Sequence, residues 1–180
     1  MDLDRSSVDG QAADAAVTAK SGVACTVMVA DCLPILLCDR DGAWVGAAHA
    51  GWRGLLGNQG QGIVERTVSR LAGGHEVQGV FAWLGPCIGP RQFEVGDEVR
   101  AAFAHDSKES EACFAALPNG KWLADLPALA RLRLRKAGVT DLFGNDGSDA
   151  WCTVSNPSRF FSHRRDRISG RQAACIWRTD

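Results

Sequence analysis

Two short segments hold the residues of this chain best suited to chemistry, Ala30-Asp31-Cys32-Leu33-Pro34 and His49-Ala50-Gly51-Trp52-Arg53-Gly54. Their thiol and imidazole fit two kinds of reaction. In the first, His49 takes the proton of Cys32 and the thiolate attacks a carbonyl. In the second, both are metal ligands: thiolate sulfur and imidazole nitrogen suit zinc, and catalytic zinc keeps three protein ligands and one open position. The two segments supply two of those three. Asp31 either orients a ligand from behind or simply closes a turn. Arg53 sits among glycines that let backbone N–H groups approach a ligand, which suits an anion such as phosphate; the plainer alternative is a solvated arginine on a loop. Trp52 offers a ring face to a planar base.

These groups need strand ends to hold them. Residues 23–30, 34–38 and 44–49 read as three successive strands, with a hairpin turn at Asp39-Arg40-Asp41-Gly42. Their nearly continuous apolar runs predict cover on both faces. Cys32 then falls between the first two strands, and His49 closes the third before a Gly-rich loop. Residues 61–71 show a helical period in Ile63, Val64, Val68 and Leu71, ending at Gly73-Gly74. A strand over 77–84 runs into Gly85-Pro86-Cys87-Ile88-Gly89-Pro90, which must be a rigid turn. Residues 98–104 look helical, and Asp125 caps a helix through Lys136, with Pro127 in its first turn and Gly138 beyond its end. Residues 160–162 and 173–177 read as closing strands around a basic hairpin at 164–171. Residues 1–20, polar and Ala-rich, read as a loosely ordered lead-in.

The 180 residues, 46% hydrophobic and 23% charged, predict one domain over 1–180. With a net charge of -1 and scattered basic residues, nucleic acid is not an expected partner. No apolar stretch is long enough to span a membrane and no signal peptide is evident, so the expectation is a cytoplasmic protein without a membrane partner. Seven cysteines, an odd number, argue against a disulfide framework. Cys25, Cys38 and Cys175 are expected to pack as small hydrophobes, as is Cys87 in its tight loop. The six tryptophans are assigned mostly to the core, His75 and His105 to the surface. His163 either lines a pocket or caps a strand.

Together with Leu84-Gly85-Pro86-Cys87-Ile88-Gly89-Pro90, Phe93-Glu94-Val95-Gly96 and Phe160-Phe161-Ser162-His163-Arg164-Arg165-Asp166, the two opening segments resemble the laccase-domain (YfiH-like) family. The resemblance implies a layered α/β/β/α fold, shortened here at its N-terminal side and shared with a bacterial deamidase toxin. It implies phosphorolysis of purine nucleosides (adenosine, inosine, methylthioadenosine) with adenosine deamination, so the expected partners are a purine nucleoside and phosphate. Older family names imply a polyphenol oxidase, and some bacterial members a hydrolase that edits a peptidoglycan precursor. Family zinc is held by the His of a Gln-Val-His-Gly motif, the Cys of Ala-Asp-Cys and the His of His-Ala-Gly-Trp-Arg-Gly. Cys32 and His49 are the counterparts of the last two, and the first motif does not occur. A late-assigned start is the expected reason, ahead of a partner chain supplying the piece or a loss of activity that leaves a binding remnant. Cys32, His49 and Arg53 are therefore the expected catalytic residues, with Cys32 and His49 holding zinc, or copper in second place. One thiolate and one imidazole do not reproduce the multi-histidine sets of copper oxidases. Nothing in the sequence specifies an oligomeric state.

Overall fold

In a computed structural model that describes residues 1–4, 6–7, 12–73 and 79–179, the strands are β1 (Ala15–Thr18), β2 (Ala24–Val29), β3 (Leu33–Asp39), β4 (Val45–Ala50), β5 (Val80–Leu84), β6 (Glu94–Val95), β7 (Phe114–Ala116), β8 (Trp122–Ala124), β9 (Asp141–Gly144) and β10 (Gln172–Trp177). The helices are α1 (Trp52–Leu56), α2 (Ile63–Leu71), α3 (Asp97–Asp106), α4 (Leu126–Lys136) and α5 (His163–Asp166). A five-stranded sheet in the order β1-β4-β3-β5-β9 forms the centre; its pairs are antiparallel except β5 with β9. Strands β2 and β10 pair separately, and β6, β8 and β7 make a small third sheet.

Alternation along β3 and β4 builds two cores. Leu33, Ile35, Leu37, Ala48 and Ala50 share one core with Val64 and Val68 of α2 and Leu126, Leu129, Ala130 and Leu134 of α4. Leu36, Cys38, Val45 and Ala47 face Cys25, Val27, Ala174 and Ile176 of the two-stranded sheet. The layers therefore run helix, five-stranded sheet, two-stranded sheet, the first three of the expected α/β/β/α order. The outer face of β2 and β10 leaves Met28 and Trp177 at 66% and 55% exposure, with no fourth layer on them among the described residues. No helix among the described residues is long and apolar enough to cross a membrane.

The strongest sequence signals are realised. The turn at Asp39 donates Gly42 N to the Asp39 carbonyl and Trp44 N to the Asp39 carboxylate. Asp125 caps α4 by accepting from Ala128 N at 2.8 Å, and Gly138 follows with φ +88°. In α2, Glu65 accepts from Gly62 N at 2.9 Å. The Arg133 guanidinium, almost wholly buried, ion-pairs with Glu65 (2.7 Å) and with Asp106 and donates to the Leu56 carbonyl at 3.2 Å. That one side chain ties all of α1 to α4 together.

Other expectations are corrected. The lead-in contains β1, antiparallel to β4, because Ala15–Thr18 satisfies the open edge of β4 with small side chains. Strand β2 is covered on one face only. Residues 160–162 are not a strand: Ser162 instead caps α5, accepting from Arg165 N at 3.1 Å, so the basic segment is a helical turn, not a hairpin. The loop after His49 opens with α1, a helix too short to show a period. Cys175 and Trp177 are exposed on β10, and the other tryptophans are only half-buried. All seven cysteines are free, and Cys25 and Cys87 pack as expected. His75, and the start of the strand expected from 77, lie outside the described residues.

Candidate functional site

Register decides where Cys32 and His49 go. In the β3–β4 ribbon Pro34 pairs with His49 and Leu33 with Ala50, so Cys32, one residue further, comes opposite Gly51. His49 shares its face with Val45 and Ala47, and Cys32 shares that of Leu36 and Cys38, so both stand on the side of the two-stranded sheet. Gly51 leaves space between them. A Cβ there would lie 3.0 Å from Cys32 Sγ and 4.0 Å from His49 Nε2, so sulfur and nitrogen converge on the hollow that glycine keeps open.

Two residues without a sequence signal complete this corner. His49 N donates to the Asp14 carbonyl at 2.7 Å, and His49 Nδ1 lies 3.4 Å from Asp14 Oδ1. With Nδ1 turned toward a carboxylate, Nε2 is left to face the thiol, the usual arrangement behind a ligating imidazole. Thr153, the second, donates its hydroxyl to Asp31 Oδ1 at 2.6 Å, while Asp31 Oδ2 accepts from Arg164 N at 2.6 Å. Both Asp14 and Thr153 arrive from distant chain, beyond the reach of local pattern. The tight loop also frames Cys32, with Gly85 N donating to the Pro34 carbonyl and Ile88 N to the Asp31 carbonyl, each at 2.9 Å. Within it Cys87 is fully buried and accepts from Asn145 Nδ2 at 3.4 Å, a packed residue rather than a reactive one.

Burial, and after it the carboxylates of Asp31 and Asp14, push the Cys32 thiol above its ordinary range, against a smaller pull from Arg171. At neutral pH the thiol therefore keeps its proton unless a bound cation displaces it. Such a cation finds a sulfur and an imidazole nitrogen facing one hollow, and this donor pair suits zinc. No group of three His, Cys, Asp or Glu able to hold a metal exists among the described residues.

Arg53 follows directly, on α1. It is exposed, and its guanidinium stacks on the Trp52 ring at 4.3 Å, covering one indole face. His163 is exposed at the start of α5, while its neighbour Arg165 donates to the carbonyls of Thr153 (2.8 Å) and Phe160 (3.1 Å). The basic motif thus serves largely to fasten the chain behind Cys32. His105 is exposed on α3.

A mixed α/β fold with a thiol and an imidazole converging at the end of one ribbon defines a recognisable class. Residues 2–179 match the family model described as multi-copper polyphenol oxidoreductase laccase, and the chain belongs to that family. Among curated relatives, a purine nucleoside phosphorylase of Pseudomonas aeruginosa is 48% identical over 169 residues, covering 93% of this chain and 66% of that protein. The purine nucleoside phosphorylase YfiH of Escherichia coli is 49% identical over 166 residues, covering 92% and 63%. A Neisseria meningitidis protein of known structure superposes with a TM-score of 0.85 at 45% identity, over 93% of this chain and 65% of its own. YlmD from Geobacillus stearothermophilus does so at 0.79 and 32%, over 93% and 61%. The chain thus spans a little under two thirds of the length of these relatives.

Proposed function

We propose that this chain carries part of the active site of a zinc-dependent purine nucleoside phosphorylase, acting on adenosine, inosine and methylthioadenosine, with adenosine deamination as a second activity. The reading is supported by the relatives' names and carried by one observation, the convergence of Cys32 Sγ and His49 Nε2 on the hollow at Gly51. In phosphorolysis a phosphate oxygen bonds to the ribose C1′ while the glycosidic bond breaks and the purine leaves with the bonding pair. Cys32 and His49 would hold zinc, which would supply Lewis acidity at the reacting group. Asp14, beside His49 Nδ1, keeps Nε2 turned to the hollow at Gly51, and Arg53 binds phosphate through its planar guanidinium. A bare thiolate nucleophile finds no support around Cys32, where burial and two carboxylates disfavour the anion.

Incubation of the purified protein with inosine or adenosine and inorganic phosphate is expected to release free base and ribose 1-phosphate, with zinc found on the protein by metal analysis. Cys32→Ala and His49→Ala are each expected to abolish both. Phosphorolysis that survives Cys32→Ala overturns the assignment.

A further inference from the structure

We infer that Asp31 is a positioning residue, whose carboxylate clamps the Cys32 corner to the segments at 152–154 and 162–166 and so fixes the thiol against Gly51 and His49. Its backbone has φ +86°, in the left-handed region that a non-glycine residue keeps only when its surroundings hold it there. Those surroundings are three hydrogen bonds from three separate parts of the chain. Thr153 Oγ1 donates to Oδ1 and Arg164 N to Oδ2, both at 2.6 Å and from 122 and 133 positions away; Ile88 N donates to the Asp31 carbonyl at 2.9 Å. A turn-closing aspartate would accept from a backbone N–H about two residues on. Both carboxylate oxygens of Asp31 instead accept from distant chain.

The far side of the clamp is itself anchored. Thr153 is fully buried, and Arg165 holds the carbonyls of Thr153 and Phe160 while Ser162 caps the turn that presents Arg164 N. The peptide that follows Asp31 therefore leaves toward Cys32 in one direction. Loss of a clamp bond lets that corner swing open and uncovers the thiol.

The inference rests on Cys32 being a zinc-binding thiol of the proposed site, but its test needs no turnover, so its failure and that of the phosphorylase assignment can be told apart. Alkylation of the native protein by iodoacetamide at fixed pH is followed residue by residue by peptide mass spectrometry, with Cys38, half-buried at the other end of β3, as internal reference. Thr153→Val keeps the shape and loses the hydroxyl. It is expected to raise the Cys32 rate about tenfold, equivalent to ~1.4 kcal/mol and near the lower end for a hydrogen bond to a charged group, with Cys38 unchanged. Thr153→Ser keeps the hydroxyl and loses the methyl, and is expected to stay near the parent rate. Asp31→Glu, which keeps the charge beside the thiol but carries the carboxylate past its two donors, is the second variant and is expected to raise the Cys32 rate likewise. Three outcomes overturn the inference: Ser as fast as Val, which makes Thr153 a packing residue; Cys32 and Cys38 rising together, which is general loosening; or no change in Val and Glu.

Discussion

Replacing Gly51 by alanine is expected to separate folding from the site. Gly51 has φ -69° and ψ 160°, an extended conformation open to any residue. Alanine there adds no backbone strain, and by restricting the unfolded chain it contributes ~0.4–1 kcal/mol of stability. The site responds differently. The new carbon would stand 3.0 Å from Cys32 Sγ and 4.0 Å from His49 Nε2, whereas non-bonded heavy atoms settle at ~3.5–4.0 Å, so the sulfur must retreat by about half an ångström and the hollow is filled. Misplacement by about 1 Å costs a catalytic site on the order of a hundredfold, which puts the expected loss at about tenfold to a hundredfold in zinc affinity and in kcat/KM. Zinc affinity is read by competition with a chromophoric chelator, turnover by base release from inosine, and stability by urea denaturation. A folded Gly51→Ala protein that binds zinc and turns over like the parent would leave the hollow at Gly51 without a role. A stability loss above ~2 kcal/mol would make Gly51 a requirement of the fold rather than of the site.

Arg133→Met leaves Glu65 and Asp106 facing each other without their cation and is expected to cost ~3–5 kcal/mol, read as a fall in Tm of roughly 6–20 °C. A wild-type Tm would show that the triad adds nothing over an apolar side chain. Burial pushes the Cys25 and Cys113 thiols from 9.0 up to about 11. Between those values the folded chain keeps protons that the unfolded chain releases, so stability is full below pH 9 and falls as pH rises toward and through 11, by on the order of 2 kcal/mol per thiol. Urea midpoints at pH 8 and pH 10.5 should show that fall, and a Cys25→Ala, Cys113→Ala double variant should make it smaller, with the raised thiols of Cys32, Cys38 and Cys87 left to carry the rest. Arg53→Ala, on an exposed turn of α1, is expected to raise KM for phosphate about tenfold while stability stays within ~0.5 kcal/mol. An unchanged phosphate titration would leave Arg53 to its stack on Trp52.

Local chemistry made parts of this molecule readable in advance. The cap, proline and closing glycine of α4 each act within a few residues, and the runs of β3 and β4 are apolar because both faces are covered. Where the sequence misled, a distant partner had decided the structure. Four small residues of β1 become a strand only because β4 offers an edge, and Phe160-Phe161-Ser162 looks like a strand until Ser162 is seen capping α5. Helix α1 is bracketed by Gly51 and Gly57 and too brief for a period. At the site, Cys32, His49 and Arg53 announce themselves by type and spacing. Asp14 and Thr153 do not, because a carboxylate in an unpatterned lead-in and a buried threonine acquire their roles only when the sheet brings them to the β3–β4 end.

The pairing of Pro34 with His49 also assigns a task to the turn at Asp39, at the opposite end of the ribbon. Side chains change faces at every residue along a strand, so a slip of β4 by one position past β3 would carry His49 to the helix side while Cys32 stayed where it is. Hairpin register is fixed by the length and type of the connecting turn. The number of residues between Asp39 and Val45, roughly 20 Å of strand away from the thiol, is thus a dimension of the reactive centre: chain length there can vary only in ways that preserve the pairing, however exposed and unremarkable that turn looks from outside.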